Sequence, residues 1–123
     1  MGDEAEHWEA QIRKGCLEMA VLASLCKGRL YGLEILHALE SRSSLGLAEG
    51  TLYLILARLK SEKLVGAEWV DAGTGHPRKY YWLTAAGRER FRAMARFWGQ
   101  FSADLDALIA PVIRLKERNH VER

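Results

Sequence analysis

No stretch of this 123-residue chain approaches the ~18 consecutive apolar residues of a membrane span. Its opening residues, Met-Gly-Asp-Glu-Ala-Glu-His, are acidic and contain no apolar core, so no secretory signal is expected and a cytoplasmic location is. Cysteine is scarce. Cys16 and Cys26 both sit in one apolar stretch, so buried free thiols are expected rather than a disulfide or a metal site. The four histidines, His7, His37, His76 and His120, share no ligand spacing, and none pairs with a cysteine. No Ser/His/Asp set, Gly-rich phosphate loop or paired carboxylates stand out, so neither an enzyme nor a cofactor is expected. An excess of one charge is also missing. Residues 1–83 carry ten basic against eleven acidic side chains and residues 84–123 eight against five, for a net charge of +2. Any nucleic-acid surface must therefore come from local clustering.

What is present is hydrophobic periodicity. The length fits one compact domain with an appended element. A helix is predicted from Trp8 to Cys26, apolar nearly all round from Cys16 onward, with Gly28 as its left-handed stop. A second spans about Tyr31 to Ser41, with Ile35, Leu36 and Leu39 inward and Glu34 and His37 outward. A third runs from Ala48 to Lys60. Its Leu52, Ile55, Leu56 and Leu59 recur at i, i+3, i+4, i+7, leaving Thr51, Tyr53, Leu54, Ala57, Arg58 and Lys60 outside. The period then changes. Ala67–Asp71 and Arg78–Leu83 are rich in aromatic and β-branched residues and flank Ala72-Gly-Thr-Gly-His-Pro77, which predicts a β-hairpin. Thr84 is placed to N-cap a final helix.

In that helix Phe91, Met94, Trp98, Phe101, Leu105, Leu108, Val112 and Leu115 follow one another at alternating spacings of three and four. This is a heptad seam. A lone terminal helix cannot bury such a stripe on itself, so pairing with a second copy is expected; the alternative is that the stripe covers the domain's own first helix. Pro111 is expected to bend or break the seam near Leu108. The fold predicted is thus mainly α with a small β-hairpin: a winged helix-turn-helix over 1–83, whose third helix suits a major groove, and a C-terminal dimerisation helix over 84–123.

Specific residues narrow this further. Trp8…Gln11-Ile-Arg-Lys-Gly15, Leu30-Tyr-Gly32, Glu49-Gly-Thr-Leu-Tyr53, Arg58-Leu59 and Arg78-Lys-Tyr-Tyr81…Leu83-Thr84…Gly87 occur in order over about residues 8–90. In combination they resemble the PadR family of transcriptional regulators, in its short branch with a single C-terminal helix. The resemblance implies a homodimer on a palindromic double-stranded DNA operator, repressing nearby genes. The chain departs from the family pattern in three places. Leu54 replaces a proline, Ala57 replaces the first of two arginines, and Lys63 replaces the glycine before Leu-Val.

The DNA-binding residues expected are Tyr31, Thr51, Tyr53, Arg58, His76, Arg78 and Lys79. Hydroxyls of Thr51 and Tyr53 suit phosphates or base edges, although Tyr53 could instead pack on the second helix. Tyr31 stands at a helix N-terminus, a natural phosphate site. Strand alternation sends Arg78 and Lys79 to opposite faces of the wing. Arg13 and Lys14 are placed beside the dimer partner or the start of the first helix. A two-fold axis near Trp98 would bring two indoles face to face. A planar aromatic effector is expected there, walled by Phe97, Phe101 and Met94 and lined by Trp8 from the partner chain, unless Trp98 simply fills the seam. The competing class is a winged-helix protein-interaction module that binds no DNA.

Overall fold

The structure, a computed structural model, describes residues 2–71, 73 and 75–121, with Ser43 and residues 116–121 described by backbone alone. Ala72 and Thr74 of the expected turn lie outside the described residues, as do the side chain of His120 and the last two residues of the 84–123 segment.

Four α-helices and three strands follow one another as α1 (Gly2–Ser24), β1 (Leu30–Tyr31), α2 (Gly32–Glu40), α3 (Glu49–Ser61), β2 (Val65–Val70), β3 (Arg78–Leu83) and α4 (Ala85–Val121), with a short 3-10 turn at Ser43–Leu45. They divide into two compact units, Met1–Phe91 and Arg92–Arg123.

In the first unit the apolar stripes of three helices meet. Leu17, Val21, Leu22 and Leu25 of α1 and its exit, Ile35 and Leu39 of α2, and Leu52, Ile55, Leu56 and Leu59 of α3 are all buried. The i, i+3, i+4, i+7 face expected of α3 is therefore the face that packs. α1 is more one-sided than its composition implies. Ala23 is exposed, and Cys16 and Cys26 are only half-buried free thiols, not fully buried ones. Cys26 Sγ lies 3.5 Å from the Leu22 carbonyl oxygen, a short-range contact that uses no distant partner. Gly28 takes the expected positive φ after the helix.

The hairpin is part of a three-stranded antiparallel sheet of order β1-β3-β2. The two-residue strand β1 was not expected. Leu30 pairs with Tyr81 and Tyr31 with Tyr80, so the entry to α2 is tied to the wing. β2 pairs with β3 from Val65↔Leu83 to Val70↔Arg78. Alternation then groups Val65, Ala67 and Trp69 with Leu83, Tyr81 and Lys79 on one face, and Arg78 falls on the other. At the tip Gly73 and Gly75 adopt positive φ, and the Asp71 carboxylate accepts the Gly73 N–H at 3.0 Å.

Two caps set the junction between α3, β2 and α4. α3 ends in a full Schellman motif: Lys63 N–H donates to the Lys60 carbonyl at 3.0 Å, and Leu64 N–H to the Leu59 carbonyl at 2.9 Å. Lys63 occupies the left-handed position with φ 62°. Thr84 caps α4 as expected. Its hydroxyl accepts the Gly87 N–H at 3.0 Å and donates to the Lys63 carbonyl at 2.7 Å. Gly87 is needed for close approach, since a Cβ there would collide with the Leu64 carbonyl oxygen. The expected break at Pro111 does not occur: α4 remains helical through that residue to Val121.

In the second unit, Trp98, Phe101, Leu105, Leu108, Val112 and Leu115 are 40–72% exposed within the single chain. Phe97 stacks on Phe101 with ring centroids 5.3 Å apart, and Trp98 tilts against Phe101 at 6.3 Å.

Candidate nucleic-acid interface

The start of α2, the outer face of α3 and the β2–β3 hairpin form one cleft. It is lined by Tyr31, Gly32, Leu33, Tyr53, Leu56, Ala57, Lys60, Ser61, Trp69, Pro77, Arg78, Lys79 and Tyr81. Four of the seven expected DNA residues, Tyr31, Tyr53, Arg78 and Lys79, come together here.

Tyr53 owes its position to Gly32. A Cβ on Gly32 would lie 2.5 Å from the Tyr53 hydroxyl oxygen and 2.9 Å from the adjacent ring carbons. The Tyr53 ring thus rests on bare backbone at the first turn of α2, and it remains 40% exposed. Tyr53 therefore packs on α2, as one of its two readings has it, while staying partly exposed. Tyr31 caps the same helix. Its backbone N–H donates to the Glu34 carboxylate at 3.1 Å, and its ring meets Tyr80 edge-on at 5.5 Å.

The cations of the wing lie over aromatic rings. The Arg78 guanidinium sits 4.6 Å from the centre of the Tyr31 ring, and Lys79 Nζ lies 5.8 Å from both Trp69 and Tyr81. Neither reaches a carboxylate in an ion pair among the described residues. Arg78 is exposed and Lys79 half-buried, the inequality that strand alternation implies. Beneath them, burial and the neighbouring Tyr53 push the Tyr81 phenol above its ordinary value of 10.0.

The other three expected residues lie outside this cleft. Thr51 is exposed on the first turn of α3, and His76 is exposed near the wing tip. Arg58 is turned toward α1, where its Nη2 lies 3.3 Å from Glu18 Oε2. Arg90 Nη1 approaches the other Glu18 oxygen at 3.5 Å, an ion-pair distance without a hydrogen bond. Arg13 is also engaged within its own chain, donating from Nε to the Ser44 carbonyl at 2.7 Å.

Two cleft residues escaped the sequence reading. Lys60 and Trp69 carry no expected DNA role, yet both line the cleft, and Trp69 is 68% exposed. The signal for Trp69 was its strand parity: it is four residues from buried Val65 and therefore shares the helix-facing side. Among the described residues, no group of three His, Cys, Asp or Glu side chains could hold a metal ion, and no helix is long and apolar enough to cross a membrane.

Three short helices, a hairpin and a basic aromatic cleft between them define a winged-helix protein of the transcription-regulator class. The model of the transcriptional regulator PadR-like family matches residues 21–93, more than half of the chain, and the chain belongs to that family. A PadR family regulator from Eggerthella lenta is 29% identical, with a TM-score of 0.79 over 88% of this chain and 94% of that one. A PadR-like transcription factor from Bacteroides fragilis is 34% identical, with a TM-score of 0.69 over 83% and 98%. PadR of Bacillus subtilis, solved in complex with operator DNA, is 25% identical, with a TM-score of 0.60 over 64% of this chain and 46% of that one. An uncharacterised protein of Lysinibacillus sphaericus is 27% identical over 79% of this chain and 91% of its own length.

Proposed function

We propose that this protein is a homodimeric repressor that binds a palindromic double-stranded operator and acts on nearby genes. The observation that carries the reading is the cleft: Tyr53 of α3, the wing cations Arg78 and Lys79, and Tyr31 converge without a single lining carboxylate. The operator complex of the Bacillus subtilis relative supports it. In this reading residues 1–83 bind DNA and residues 84–123 pair the two copies. α3 enters the major groove with Thr51 and Tyr53, while Arg78, Lys79 and His76 of the wing follow the backbone. Arg58 has to leave Glu18 to reach a phosphate, so its contribution is the smaller. The work is done beside the chromosome, in the cytoplasm, and involves no catalytic step.

Pairing is supported by the width of the exposed apolar stripe on α4, where Phe97, Ile109 and Ile113 flank the seam. The same dimer would also take a planar aromatic effector, clasped by two Trp98 indoles near the two-fold axis with Met94 and Phe101 as walls. Saturable quenching of tryptophan fluorescence by a planar dye, lost in Trp98→Ala, tests that part.

Fluorescence anisotropy tests the DNA surface. Arg78→Ala with Lys79→Ala should weaken binding to every sequence and flatten its salt dependence. Tyr53→Phe should cost more on the operator than on random DNA. Unchanged affinity in both variants would place the surface elsewhere.

A further inference from the structure

The cleft beside α3 is large enough to take a small molecule. It encloses about 760 Å³, within the ~300–1,000 Å³ typical of small-molecule pockets. Its lining includes the aromatic residues Tyr53, Trp69 and Tyr81 and the cations Lys60 and Lys79, with no Asp or Glu among the lining residues. Phosphates on a duplex surface make use of the cations, but they offer nothing to stack on Trp69, which is 68% exposed. Lys79 lies over π faces instead of a carboxylate, so it stays available to an anion.

We propose that this cleft is a binding site for a free nucleotide, its base stacked on Trp69 and its phosphate held by Lys60 and Lys79. Stacking on an aromatic side chain suits any base, and charge-assisted hydrogen bonds from Lys and Arg suit phosphate oxygens. An uncharged aromatic ligand would leave the lining cations without a counter-charge. A bare anion would leave the rings unused. A nucleotide answers both halves of the lining. It would also occupy Tyr53 and Lys79, so it would compete with operator DNA. That consequence rests on the DNA-binding reading above, but nucleotide binding itself does not.

Calorimetry on the full chain without DNA separates the two. AMP and GMP should each saturate one site per chain. Ribose 5-phosphate and adenosine, each carrying half of the chemistry, should bind about tenfold or more weakly. Trp69→Ala should weaken AMP about tenfold or more, and Trp69→Phe should restore most of the loss. Trp69 is exposed, and circular dichroism checks that both variants keep their helices. Three results would overturn the proposal: no saturable heat from AMP or GMP at millimolar concentration, ribose 5-phosphate binding as tightly as AMP, or an unchanged affinity in Trp69→Ala. In a second arm, AMP should displace operator from the wild-type protein and far less from Trp69→Ala. If no operator binds at all, the DNA reading fails while the calorimetric result stands.

Discussion

Lys63→Gly should stabilise this protein, although it removes a side chain and adds nothing in its place. Lys63 is the residue just beyond the cap of α3 and has φ 62°. An L-residue in that conformation crowds its Cβ against the following carbonyl, at roughly 1–2 kcal/mol. Glycine escapes the penalty but loses more backbone entropy on folding, about 0.5–1 kcal/mol. The Schellman hydrogen bonds from Lys63 and Leu64 are backbone bonds and survive the change. So does the Thr84 hydroxyl's bond to the residue 63 carbonyl. The net gain is about 0.5–1 kcal/mol, a rise of roughly 1–4 °C in Tm for a chain of this size. Thermal melts followed by circular dichroism, at one protein concentration, measure it. Lys63→Ala is the control, because it deletes the charge and keeps the Cβ. A glycine variant that melts at or below the wild type would refute the reasoning. So would an alanine variant that gains as much, since the effect would then lie in the lysine charge.

Other perturbations probe the site and the seam. Gly32→Ala should push the Tyr53 ring off α2 and weaken operator binding while leaving the helical signal intact; equal affinity would separate Tyr53's seat from its function. Leu105→Asp with Leu108→Asp should leave a monomer or an unfolded chain in sedimentation, because charges in an apolar seam are costly unless neutralised, and a well-folded dimer would defeat the pairing proposal. Tyr81 has its pKa raised by burial and then by Tyr53, so it favours the folded state fully below pH 10.0 and loses that contribution as pH rises through its folded value. Tyr81→Phe should therefore flatten the alkaline limb of a stability profile, and an identical limb in both proteins would count against this cause.

The helical half of the fold was legible because it rests on side-chain period. Leu52, Ile55, Leu56 and Leu59 announce their face by spacing alone, and Thr84 announces a cap by its hydroxyl. The missed strand β1 has only two residues, too short for alternation to register, and exists because β3 offers it a ladder. Pro111 does not break α4, for a related reason. Proline penalties are local, whereas the rest of α4 continues helical on both sides of it. In the cleft, Tyr31, Tyr53, Arg78 and Lys79 were legible through the quoted motifs. Arg58 was not, because its partner Glu18 lies forty residues away on α1 and no local pattern joins them. Trp69 and Lys60 become cleft residues only when α3 and the hairpin are placed side by side, which is a property of tertiary packing. Gly32 is similar: its small size matters only because Tyr53 lies across it.

The central claim is sequence-specific binding of two copies to one operator, and footprinting on the DNA upstream of the protein's own gene tests it most directly. At a stated salt concentration and micromolar protein, two protected half-sites related by a two-fold axis are expected, about one helical turn or ~34 Å apart or a multiple of it. Arg78→Ala with Lys79→Ala should erase both together. No protection beyond that seen on random DNA would contradict the claim and leave the fold as an interaction module.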